Sequence, residues 1–254
     1  MTKFNEWCIE KETPATDHRL RLLTVDPAKE AHAVKVVAKS VPDHYTSPDR
    51  VASLLARLGR IEVARHIEQK LPTKIAIKSG DLGEILCTAY LREATPFKLG
   101  IKRLRWKDHR NMAMRGDDVL AFSLGTNGKG LKVLKAEVKS RAALPTAVIQ
   151  EARKALSGDG ELPSAHAVAF VADRLGEAGD MELMNALDDV LLKDGFKLRQ
   201  VTHMLFTFSG NDPTNLLRAN LETYAGVVPQ HYVALRVKSH QAFIKAVFQA
   251  AAGV

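Results

Sequence analysis

Cysteine is scarce in this chain of 254 residues: only Cys8 and Cys87 are present. They are far apart, and neither belongs to a Cys-x-x-Cys or a Cys/His ligand spacing, so a disulfide framework and a zinc site are both excluded and the two read as reduced thiols. Histidines are more numerous but scattered, and His66 and His203 read as packed or surface residues rather than ligands. Long apolar runs are missing too. Hydrophobic residues make up 46% of the chain, yet charge interrupts them throughout, and no stretch approaches the ~20 residues that span a bilayer. The opening Met1-Thr2-Lys3-Phe4-Asn5-Glu6 lacks the apolar segment of a signal peptide. Together these absences predict a cytoplasmic protein without a membrane partner. No internal repeat or low-complexity segment is visible, which excludes a repeat array.

Positive charge is plentiful. The net charge is +8 and the pI is near 9.5, which suits a polyanionic partner such as DNA. Lys98, Lys102, Arg103, Arg105, Lys107, Arg110 and Arg115 crowd one segment around Trp106. Two readings stand for it: a nucleic-acid contact in which the cations neutralise phosphates and the indole stacks on bases, or a solvated face whose Trp106 belongs to the core.

The length suits one elaborated domain, or a core domain over residues 73–254 preceded by a helical portion over 1–72. Residues up to about Leu23 alternate apolar and charged positions like a strand or an arm. Asp26-Pro27 starts a helix to Ser40, and Ser47-Pro48 starts another with Gly59 as a break before Lys70. Ser79-Gly80-Asp81 reads as the opening of a further helix. Past the middle of the chain the pattern predicts a helix from Leu144 to Leu156, a buried strand from Ala165 to Ala172, a helix from Met181 to Lys193 and a strand from Leu198 to Phe208. A last strand from Tyr232 to Val237 and a helix from His240 to Ala251 complete an α/β sandwich with a mixed sheet flanked by helices.

The chemistry concentrates on Asp118, Glu137 and Lys139. Arg115-Gly116-Asp117-Asp118 leads into the apolar Val119-Leu120-Ala121-Phe122, and Val133-Leu134-Lys135-Ala136-Glu137-Val138-Lys139 follows a turn containing Asn127-Gly128. Asn-Gly is a strong hairpin signal and would set the two strands side by side. Side chains alternate along a strand, so Glu137 and Lys139 share one face while Leu134, Ala136 and Val138 take the other. Two carboxylates and an ammonium around one point could hold Mg²⁺, or Mn²⁺ in its place, and hydrolyse a phosphodiester, with Lys139 orienting or deprotonating the attacking water. Asp118 is preferred to Asp117 as the ligand because it enters the strand directly. Glu84 is a candidate third ligand, although Asp81 and Glu84 also match the spacing of a capping box. Lys102, Arg103, Arg105 and Arg115 are candidate phosphate contacts, and Gln150 either lines a DNA channel or faces solvent.

Three stretches carry a family resemblance. Gly80-Asp81-Leu82-Gly83-Glu84-Ile85-Leu86, Asn111-Met112-Ala113-Met114-Arg115-Gly116-Asp117-Asp118-Val119 and Ala136-Glu137-Val138-Lys139-Ser140 resemble the HamA family of the Hachiman anti-phage defence system, with a similar relative in the Abp system. The Phe170-Val171-Ala172-Asp173-Arg174-Leu175 stretch fits as well, and the likeness runs from about Pro72 to the C-terminal helix. It implies a restriction-endonuclease-like core of the PD-(D/E)xK superfamily, Mg²⁺ dependence, DNA as substrate and a HamB-like helicase partner. The superfamily's metal carboxylates fall on Asp118 and Glu137 and its lysine on Lys139. Gly116-Asp117 stands where the name-giving Pro-Asp would be, which leaves Asp117 a possible substitute for Asp118. Two other readings share the same residues: a DNA-binding or helicase-regulating subunit with a vestigial centre, and a repair or junction nuclease.

Overall fold

The fold was obtained as a computed structural model, which describes residues 2–15, 18–125 and 130–252. A seven-stranded mixed sheet forms its spine, in the order β1-β2-β7-β6-β5-β4-β3. The strands are β1 (Cys8–Ala15), β2 (His18–Val25), β3 (Lys98–Leu99), β4 (Val119–Ser123), β5 (Lys132–Arg141), β6 (Val201–Ser209) and β7 (Gln230–Arg236). β2, β7, β6 and β5 run parallel, and antiparallel pairs close both edges. Residues 8–25, which read as a strand or arm, are thus two strands of the same sheet that carries Glu137.

Helices cover both faces. They are α1 (Phe4–Trp7), α2 (Glu30–Ser40), α3 (Pro48–Leu58), α4 (Arg60–Lys70), α5 (Ile75–Ala94), α6 (Thr146–Ser157), α7 (Ala165–Ala178), α8 (Met181–Asp189), α9 (Thr214–Glu222) and α10 (His240–Ala252). One face buries Ala121, Leu134, Ala136, Phe206, Phe208 and Leu235 against α2, α5 and α10. On the other, α7 and α8 cover Leu120, Phe122 and Val133, while α6 and α9 cover Leu205, Tyr232 and Ala234. The central strands are apolar on both faces, as parallel strands between helix layers must be. Among the described residues no helix is long and apolar enough to cross a membrane. Cys8 and Cys87 are both free thiols.

Two predicted elements differ. Ala165 to Ala172 is the start of α7 rather than a strand: Ser164 caps it by accepting from Ala167 N, and Val168, Val171, Ala172 and Leu175 are buried at helical spacing. The helix predicted to open at Ser79-Gly80-Asp81 begins instead at Ile75, so Asp81 lies inside α5 and caps nothing. The Asn127-Gly128 pair lies outside the described residues, but the antiparallel pairing it was expected to produce is present, with Val119 opposite Ala136 and Phe122 opposite Val133.

Candidate metal centre and its surroundings

β4 and β5 bring the predicted groups together. Asp118 sits at the entry to β4, and its Oδ2 accepts from the backbone N of Val138 at 2.8 Å, which fixes the carboxylate between Glu137 and Lys139 on the neighbouring strand. Glu137 and Lys139 share a strand face and form an ion pair at 2.9 Å, while Val138 packs into the opposite core. Lys139 Nζ also donates to Glu151 of α6 at 2.9 Å.

The electrostatics are those of a crowded acidic site. Burial, and then the nearby Asp118, push Glu137 up to about 7. Asp118 is likewise raised by burial, against the pull of Arg103 and the Val138 amide. Burial works to lower Lys139, but its bonds to Glu137 and Glu151 outweigh this and hold it above its usual value. Lys139 is therefore a stable cation.

Asp117 points elsewhere. Its Oδ2 accepts from Ser164 N at 2.9 Å, at the start of α7, and its Oδ1 pairs with Lys135 at 3.5 Å. Lys135 is buried and also donates to the carbonyl of Leu162. Successive side chains point to opposite sides as the chain enters β4, and Gly116, at φ +87°, makes the turn just before the two aspartates.

Glu84 projects from α5, and Arg103 lies between it and Asp118. The guanidinium donates to both Glu84 oxygens and to Asp118 Oδ1, each at 2.8 Å, and to the Asp117 carbonyl at 2.9 Å. Burial pushes Glu84 up to about 7 even against Arg103. Among the described residues no group of three or more His, Cys, Asp or Glu side chains is placed to hold a metal; Asp118 and Glu137 are two carboxylates near enough for one to raise the other, while both oxygens of Glu84 are taken by Arg103. Mg²⁺ binds through one or two carboxylates and keeps several waters, so the donor set fits.

The basic segment is largely occupied. Arg103 is committed to carboxylates, and Lys102 and Arg105 both pair with Asp43. Lys107 pairs with Asp81, which also accepts from Tyr45 at 2.6 Å. Arg115 and Gln150 are exposed. Trp106 is half-buried and meets Phe170 edge-on at 6.1 Å. The sequence reading missed Arg103 as a bridge, Glu151 as a partner of Lys139 and Lys135 as the holder of Asp117. Nothing in the spacing of a basic run tells which member turns inward.

The fold and site define an α/β protein in which a mixed sheet between helix layers carries paired carboxylates and a lysine at the junction of two antiparallel strands. The family model of HamA matches residues 2–251, and the chain belongs to the HamA family. It is similar to the Hachiman protein HamA of Bacillus cereus, 25% identical over an alignment covering 96% of this chain and 89% of that protein.

Proposed function

We propose that this protein is a divalent-metal-dependent deoxyribonuclease, working in anti-phage defence beside a helicase subunit. The observation that carries the reading is the convergence of Asp118, Glu137 and Lys139, in which the Val138 amide holds Asp118 at the Glu137–Lys139 pair. The defence role follows from the family and from the name of the Bacillus cereus relative; DNA as substrate and the helicase partner follow from the resemblance described above.

Asp118 and Glu137 would hold Mg²⁺ or Mn²⁺. Such a cation supplies a bound water of lowered pKa and a positive clamp on a phosphate oxygen. Asp118 is kept in place by Arg103 and by the Val138 N–H, so its carboxylate is oriented before substrate arrives. Lys139, held protonated, donates to the water or to a phosphate oxygen rather than removing a proton. Asp117 serves the α7 junction, which supports Asp118 as the ligand.

Cleavage of supercoiled plasmid by the purified protein, with Mg²⁺ and with EDTA, tests this directly. Glu137→Ala and Lys139→Ala should each remove cleavage while the protein stays folded, which circular dichroism checks. Cleavage by either variant at the wild-type rate, or indifference to EDTA, would sink the proposal. A second reading is favoured by Arg103, which already neutralises Glu84 and Asp118: a DNA-binding or helicase-regulating subunit whose centre is idle. Under that reading DNA affinity persists in Glu137→Ala and no Mg²⁺-dependent cleavage is seen in the wild type.

A further inference from the structure

Beside Asp118 lies a cavity of about 240 Å³, smaller than the ~300–1,000 Å³ of pockets for drug-sized ligands and so suited to a single ring system. Its lining is of two kinds. Trp106 and Phe170, in edge-on contact, are among its lining residues, as are the apolar Leu120 and Val171. Arg174 braces both rings from outside the cavity, 5.8 Å from the centroid of Trp106 and 5.2 Å from that of Phe170. Glu84 and Asp118 line the cavity as well, with Arg103 between them, and so do Lys102, whose side chain is engaged by Asp43, and Asp117, whose side chain is engaged by Lys135 and Ser164. Arg103 is taken up by Glu84 and Asp118, and a carboxylate oxygen that accepts one hydrogen bond keeps a second lone pair, which can accept from a ring N–H or an exocyclic amino group. Arg115 and His166 line the same cavity and are solvent-exposed, which puts positive and polar side chains at the mouth.

We propose that this cavity receives one nucleobase lifted out of its stack, next to the phosphate presented to Asp118 and Glu137, with Trp106 and Phe170 as its aromatic wall and Arg115 at the adjoining backbone. An intact duplex cannot insert a base without unpairing it. The substrate is then DNA with local single-strand character: a single strand, a frayed end or a distorted duplex. The inference rests on the site acting on DNA, but not on hydrolysis.

The test is made on the full chain in EDTA at low salt, so it proceeds whether or not the protein cleaves. The chain has two tryptophans, and Trp7 is fully buried outside the cavity, so quenching of intrinsic fluorescence reports Trp106. A short oligothymidylate should quench the signal and bind about tenfold more tightly than an abasic strand of the same length, because stacking on an aromatic side chain contributes that much per base. Phe170→Ala should remove most of this preference while leaving the affinity for the abasic strand unchanged. Phe170→Leu keeps the apolar packing and loses the aromatic face, and should behave the same way if Phe170→Ala fails to fold. Equal binding of the two strands by the wild type, or full retention of the preference in Phe170→Leu, would overturn the proposal. Loss of Mg²⁺-dependent cleavage with the preference intact would instead strike only at the nuclease reading.

Discussion

Arg103 decides how the acidic site survives in the fold. Its side chain is 11% exposed and those of Glu84 and Asp118 are 14% and 20% exposed, so the three charges share a poorly solvated space. Removing one member of such a group leaves the others without compensation, at a cost of about 3–5 kcal/mol. Arg103→Met is therefore expected to lower the unfolding free energy by about 3 kcal/mol in urea titration, and Glu84→Gln in the same background should recover part of it. A denaturation midpoint unmoved by Arg103→Met would mean that the bridge contributes nothing. At this scale the strand residues were legible, because a charged pair on one face of an apolar strand is visible in spacing alone. Arg103 was not, since its partners lie 19 and 15 positions away on other elements. Lys135 carries the same lesson: it looks like one more surface cation and is in fact a buried strut.

Element by element, the site depends on how closely α5 lies on β5. A Cβ added at Gly83 would meet Val138 Cγ1 at 2.9 Å and Ser140 Cβ at 3.4 Å, so the helix approaches the strand at a position that only glycine fills without adjustment. Gly83→Val should force the two apart, costing about 1–3 kcal/mol, and should shift the adjacent Glu84. The expected result is a lowered melting temperature together with weaker cleavage. Normal stability in Gly83→Val would show that the contact yields easily. Most elements were readable: Asp26-Pro27, Ser47-Pro48 and Gly59 punctuate the helices where the sequence places them. The apolar stretch after Ser164 misled because hydrophobicity without a period fits a buried strand and a buried helix equally; the Ser164 cap and the alanines settled it as α7. Asp81 misled in the opposite way, since a good capping residue inside α5 is used for Lys107 and Tyr45 instead.

For the whole molecule, acid stability follows from buried imidazoles. His44, His203 and His240 are buried, and burial pushes them down to about 3, 4 and 4. The unfolded chain takes up their protons near pH ~6.5, so between there and the lowered values it binds more protons, and stability present at neutral pH is lost as pH falls. Glu84 and Glu137, raised to about 7, act in the opposite sense and lose stability as pH rises from about 4.5. A single variant separates the two effects. His203→Gln should be less stable than the wild type at neutral pH, with the gap narrowing by about 2 kcal/mol by pH 5; a gap that does not change with pH would refute the assignment. The sheet order was the least legible feature, because the alternation before Leu23 says that a strand forms and not which strand it joins. Arg19 of β2 stands opposite His231 of β7, and Gln230 N donates to His18 Nδ1 across 212 positions of sequence. That pairing has a consequence for biosynthesis. β2 is synthesised long before β7, so its parallel pairing is non-local, and the side of Leu20 that packs on Tyr232 and Ala234 stays uncovered until β7 is made. A nascent chain halted before Gln230 lacks the strand that joins β2 to β6, and with that seam open it is a natural client for a chaperone.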